Sequence, residues 1–198
     1  WGLREALVAL RSIELAPPPR SGEPFTREFH HSFYLATHVV YCQSAYNAIK
    51  SSEREIPWLY SYVRKSFRYW MRCVKEARSD PSVYVDVDGI GEVCDILRGA
   101  GLTEASDPML CEGTLFLLRT QRKSGTWPAT LVPLISDDRG QHTSKDLNLY
   151  QRVHPTWVCT QALRDRDFKI SNNDFWPPFI RKAMADVSFH KLTYKPSW

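Results

Sequence analysis

The sequence predicts an all-α domain built from paired antiparallel helices. Apolar residues recur at three- and four-residue steps through most of the 198 residues. Proline, glycine and Asp or Asn caps cut that pattern into pieces of helical length. Only residues 82–88 (SVYVDVD) alternate as a strand does, and one strand alone builds no sheet.

The elements follow in order. Residues 3–15 place Leu3, Leu7, Leu10 and Leu15 at near-helical spacing, a short amphipathic helix. The segment 17–24 (PPPRSGEP) ends it, because proline lacks the donor and clashes with the preceding turn. Residues 1–24 therefore form a helical arm and linker, and 25–187 the helical domain. A second helix runs from Thr26 to about Lys50, with Phe29, Phe33, Ala36, Val40 and Ile49 near one face. A third begins near Pro57, carries Leu59, Val63, Phe67 and Trp70, and stops at Ser79-Asp80-Pro81. Asp88 is a good N-cap for a helix over 89–98, whose Ile90, Val93, Cys94 and Leu97 share a face. Gly99 or Gly101 ends it through a left-handed cap. Asp107-Pro108 caps and starts the next helix, which runs to Ser124-Gly125. No period persists from Gly125 to Gln151, a loop long enough to expect a role. His154-Pro155 then opens a helix to about Asp167, and Asn172-Asn173-Asp174 caps a last one. Residues 188–198 form an aperiodic tail.

Composition bounds the function. At 43% hydrophobic and 24% charged, the chain has enough apolar side chain for a real core. The aromatic share of 13% suits a bulky core or a ring-lined cavity. A net charge of +4 comes from scattered basic residues. Arg64, Lys65, Arg68 and Arg72 make one local cluster, the candidate for contact with RNA or DNA, but no continuous basic stripe follows. No apolar run approaches a membrane-spanning helix, so no membrane is expected. The five cysteines are widely spaced, without any C-x-x-C, and read as buried free thiols. That pattern fits an intracellular reducing compartment, cytoplasmic or nuclear. The chain opens on Trp1, which leaves a removed targeting peptide or a longer parent open.

DGIGEVCDILRGAGL followed by EGTLFLLRTQRKSGTW reads as two helices and a turn carrying Gln121, Gly125 and Trp127. HPTWVCTQALRDRDF and YLATHVVY read as inner helices. Together they resemble the Q-x-x-x-G-x-W repeat of the terpenoid cyclase and protein prenyltransferase superfamily. The resemblance implies an α/α toroid-like arc with extended terminal segments and inner helices around a cavity. In that pattern glycine ends a helix, tryptophan folds back onto the next helix, and the Gln amide bonds to a helix terminus. The catalytic signatures do not carry over. Asp86 and Asp88 make one spaced pair where protonating cyclases carry D-x-D-D. Prenyltransferases hold zinc with Asp, Cys and His, and no flanking pattern here assigns those roles.

In the toroid reading His38, Trp127, His154 and Trp157 line the cavity, with Asp88, Glu92 and Cys94 nearby. A metal, zinc in the first place, would draw on His38, Asp88, Cys94 and His154. The competing reading makes His38 a core histidine bonded to backbone and His154 a helix cap. Cys94 or Cys159 paired with histidine would be a nucleophile only if its thiol were activated; a buried thiol is the simpler reading. No catalytic residue is assigned. His30-His31 and Glu53-Arg54-Glu55 read as solvated. Phe175, Trp176, Phe179, Phe189, Tyr194 and Trp198 are too many rings to leave in water, and mark a docking segment.

Two functions remain. One is a non-enzymatic helical scaffold without cofactor, an interaction module in a hetero-complex. The other is an enzyme or small-ligand protein using the cavity, with or without a metal. A ring-lined cavity on the order of several hundred Å³ favours the second, and a filled centre the first.

Overall fold

The computed structural model describes residues 12–131 and 145–164. They are all-α, with helices α1 (Arg27–Gln43), α2 (Pro57–Glu76), α3 (Val87–Gly99), α4 (Pro108–Thr120) and α5 (Lys145–Leu163). No strand forms among the described residues; one isolated antiparallel bridge joins Asp86 to Thr130. Most of the expected first helix, the last helix and the six rings from Phe175 to Trp198 lie outside these residues. No described helix is long and apolar enough to cross a membrane.

Local chemistry sets the boundaries. Thr26 caps α1 by accepting a hydrogen bond from the Phe29 amide. This helix ends well before Lys50, because Ala45, Tyr46 and Asn47 all adopt positive φ, at 47°, 55° and 58°. Asp107 caps α4 through the Met109 and Leu110 amides, with Pro108 in the first turn, as expected. The cap of α3 is Asp86, not Asp88. Asp86 Oδ1 accepts from the Gly89 amide at 2.9 Å, and the Val87 amide donates to Ala129 O. Asp88 is thereby freed to project from the first turn. The last described helix also starts earlier than expected, at Lys145, and Pro155 lies inside it.

The centre of the fold is α3, every residue of which is buried. It packs most extensively on α5. Gly91 makes that approach close: a Cβ there would stand 3.0 Å from Val158 Cγ1 and 3.3 Å from Cys159 Sγ. On the other side a Cβ on Gly113 would meet Cys94 Sγ at 2.4 Å, so α4 packs tightly on α3. Phe29, Phe33, Phe67 and Trp70 fill the layer between α1 and α2. The proline-rich linker lies against that layer. Tyr62 donates to Ala16 O at 2.7 Å, and Arg72 donates to Pro19 O at 2.8 Å.

Candidate metal and ligand site

A helix buried all round normally carries apolar residues. In α3 the face toward α1 and α5 instead carries Asp88, Glu92 and Asp95, at i, i+4 and i+7. Their relative exposures are 6%, 2% and 4%. Three carboxylates in such a place cost stability unless something balances them.

His154, from the middle of α5, reaches this face. Its Nε2 lies 3.4 Å from Asp88 Oδ2. Asp88, Glu92 and His154 each offer one ligand atom, all within 4.8 Å of one another. The Tyr34 hydroxyl, from α1, stands 3.1 Å from Asp88 Oδ2 and 3.1 Å from Asp86 Oδ2. Its one proton serves one carboxylate at a time. His30 Nε2 lies 3.6 Å from Asp86 Oδ2. Two oxygens remain buried with no hydrogen-bond partner, Asp88 Oδ1 and Glu92 Oε2.

Electrostatics follow from this packing. Burial pushes the Glu92 carboxyl well above the ordinary glutamate range, the neighbouring Thr37 side chain opposes this, and the Asp88 charge adds to the rise. The hydrogen bond to Asp88 raises the His154 imidazole above its usual value, and partial burial opposes it. Burial first, then the charges of Asp86 and Asp88, hold the Tyr34 phenol fully protonated.

Two hollows open beside the cluster. One, of about 310 Å³, lies among Tyr41, Tyr46, Glu92, Asp95, His154 and Trp157. The other, of about 320 Å³, lies among His30, Tyr34, Asp86, Asp88, Tyr150 and His154. His38 and His154 border both, and no lysine or arginine among the described residues borders either. The Tyr150 and His154 rings stack at 5.0 Å, and Trp157 stands 6.2 Å beyond His154.

Four of the residues expected at a cavity are therefore together: Asp88, Glu92, His154 and Trp157. His38 borders the hollows but is exposed rather than a core residue. Its Nδ1 is bound to Tyr34 O at 2.7 Å, outside the ligand cluster. Trp127 lines neither of these two hollows. It is buried, and its Nε1 donates to Leu117 O at 2.8 Å. Cys94 lies outside the cluster, its sulfur packed against Gly113 on the α4 side of α3. Burial raises the thiols of Cys94 and Cys159, so both are inert apolar groups, whereas Cys42 is exposed. His154 sits inside α5 and caps nothing. Of the residues read as solvated, Glu53 pairs with Arg64, Glu55 accepts from Gln43 and His30 approaches Asp86.

Sequence reasoning missed Tyr34, Asp86, Asp95 and the Tyr41–Tyr46 pair. The carboxylate spacing from Asp88 to Asp95 is the signal the sequence offers, but beside an apolar face of Ile90, Val93, Cys94 and Leu97 three charges read as an ordinary solvated face. The basic cluster on α2 is partly engaged within the fold. Arg64 pairs with Glu53 and Asp107, and Arg72 with Glu76 and the Pro19 carbonyl, while Lys65 and Arg68 are exposed. No protein-family model, no curated protein and no solved structure matches this chain.

Proposed function

We propose that this protein binds a divalent metal ion between α3 and α5 through Asp88, Glu92 and His154, and presents it to a small ligand in the adjoining hollows. The observation that carries the reading is the pair of buried, unpartnered oxygens, Asp88 Oδ1 and Glu92 Oε2, beside a histidine nitrogen. An unpartnered buried acceptor is expensive, and an ion is the partner that satisfies several at once. The 3.4 Å between His154 Nε2 and Asp88 Oδ2 suits ligation. Donors about 2.0–2.2 Å from a tetrahedral ion stand roughly 3.4 Å apart. Two carboxylates and one imidazole favour manganese, iron or zinc over soft, thiol-bound ions. Three protein donors leave coordination positions for water or ligand, as in catalytic rather than structural sites.

The toroid-like arrangement is part of this proposal. It is supported by the turn after α4, where Gln121 Nε2 donates to Gly125 O at 3.1 Å and Trp127 folds back onto Leu117 O. The Trp127 amide also donates to Thr156 Oγ1 on α5 at 3.1 Å. Of the roles the Q-x-x-x-G-x-W resemblance implies, the Trp127 contact with the next helix is the one these bonds match; the Gln121 amide bonds within the turn rather than to a helix terminus.

The test is manganese titration of the chelator-treated full chain, followed by electron paramagnetic resonance and repeated with zinc by calorimetry. One ion per chain is expected. Asp88→Asn, Glu92→Gln and His154→Ala should each weaken binding at least tenfold, and His38→Ala should not. Binding that ignores the three variants overturns the site.

The scaffold reading keeps one observation in its favour. Leu149, Val153 and Trp157 form an exposed stripe on α5, each more than half exposed. Native mass spectrometry of protein from its own source separates the readings. A stable protein partner without metal supports the scaffold, and an added ion supports the site.

A further inference from the structure

The hollow of about 310 Å³ is bounded on one side by a strained turn. Ala45, Tyr46 and Asn47 are three successive non-glycine residues at positive φ. Each such residue costs free energy, and the surrounding structure must hold it there. Asn47 does the holding. Its Nδ2 donates to Asp95 O at 3.1 Å and to Asp95 Oδ2 at 2.9 Å, while its Oδ1 accepts from Ser44. The turn stacks the Tyr46 ring on Tyr41 at 5.5 Å and 11°, yet leaves Tyr46 58% exposed. Burial of that ring is therefore not what the strain secures. It secures a ring against the hollow, which Trp157, itself 51% exposed, also lines.

The lining is aromatic and acidic. Glu92 and Asp95 supply carboxyl groups, and the basic side chains at its border are His38 and His154, with no described lysine or arginine. Glu92 Oε2 is an acceptor with no donor. A neutral apolar ligand would leave it so, and an anion would be repelled. A cation carrying N–H groups satisfies the oxygen and is attracted by ring quadrupoles. A quaternary ammonium has the charge without the donor.

We propose that this hollow receives a primary alkylammonium group, bonded to Glu92 and seated among Tyr41, Tyr46 and Trp157. The group arrives on a free amine or on a lysine side chain. The inference names the ligand class of one hollow of the metal reading and shares Glu92 and the bordering His154 with it; a carboxylate has about four acceptor positions, enough for an ion and an N–H.

Ligand-observed NMR and calorimetry on the chelator-treated full chain test it, with n-butylammonium as probe. The neutral isostere n-butanol, tetramethylammonium and a lysine capped at both ends are the comparisons. n-Butylammonium should bind at least tenfold more tightly than n-butanol and more tightly than tetramethylammonium. Trp157→Ala and Tyr46→Ala, both at exposed rings, should each weaken it at least fivefold while circular dichroism stays native. Leu118→Ala, on an exposed face of α4, should leave it unchanged. Equal affinity for n-butanol, or indifference to both ring variants, overturns the proposal. Tighter tetramethylammonium binding overturns the N–H assignment. Capped lysine at or above the affinity of n-butylammonium identifies a protein-borne source, and weaker binding identifies a free amine. Manganese titration of the same sample separates the two readings. Ammonium failure with manganese retained overturns this inference alone, and the reverse overturns the metal site alone.

Discussion

Glu92 shows in one side chain how function opposes stability. It is 2% exposed, lies one helical turn from Asp88 and has an oxygen that no protein donor reaches. A glutamine there has nearly the same shape, no charge to desolvate, and an amide that can donate to the orphaned Asp88 Oδ1. Glu92→Gln should therefore stabilise the ion-free protein by roughly 1–3 kcal/mol while weakening ion binding. Thermal unfolding checks the first half; an unchanged or lower Tm would remove the claim that this carboxylate sits at the expense of stability. The pH dependence has a definite sign. A carboxyl raised in the folded state binds its proton more tightly there than when unfolded. Its stabilising contribution is complete below the unfolded value of about 4.3 and is lost as pH rises through the folded one. His154, raised by Asp88, acts in the same direction above about 6.5. Between pH 5 and 8 the wild-type Tm should therefore fall relative to that of Glu92→Gln.

Among the elements, α3 and its neighbouring turn carry the construction. Gly99 lies against Asn47: a Cβ on Gly99 would stand 2.1 Å from Asn47 Oδ1. That amide cannot swing away, because Ser44 and Asp95 hold both its ends. Gly99→Ala should cost about 1–3 kcal/mol in urea unfolding, the usual range for overpacking. In an Asn47→Gly background the same change should cost markedly less, since glycine removes the obstructing amide and tolerates the positive φ. Strictly additive costs would show that the two residues do not oppose each other. How much was legible in the sequence follows the same physics. Asp107-Pro108 reads correctly because cap and proline coincide and nothing competes. Asp86 and Asp88 both fit a cap in V-D-V-D, and the choice falls to the Val87 and Leu131 amides, which bond across to residues 129 and 85. That pairing is a contact distant in sequence, invisible to a local pattern. The early start of α5 is hidden because Leu149, Tyr150 and Val153 are exposed, so these apolar residues mark no face toward the core. The left-handed run at 45–47 contains no glycine, so no local signal announces it.

For the whole molecule, the proposed ion would join two helices distant in the chain. Asp88 and Glu92 come from the central α3, and His154 from α5, which otherwise meets α3 through the close Gly91 approach to Val158 and Cys159. An unfolded chain does not hold those three donors together, so an ion that binds the folded state stabilises it by linkage. At 100 times its dissociation constant the gain is about 2.7 kcal/mol. For a chain of this length each kcal/mol shifts Tm by about 2–4 °C, so saturating manganese or zinc should raise Tm by roughly 5–11 °C over chelator-treated protein. The shift should grow with the logarithm of free ion and vanish in Asp88→Asn. Hydrogen exchange should show the added protection in α3 and α5 more than in α2, which contributes no ligand. A Tm indifferent to saturating ion, with binding independently demonstrated, would mean that the ion sits outside the α3–α5 contact. The three donors would then be a strained internal cluster rather than a clasp between the helices.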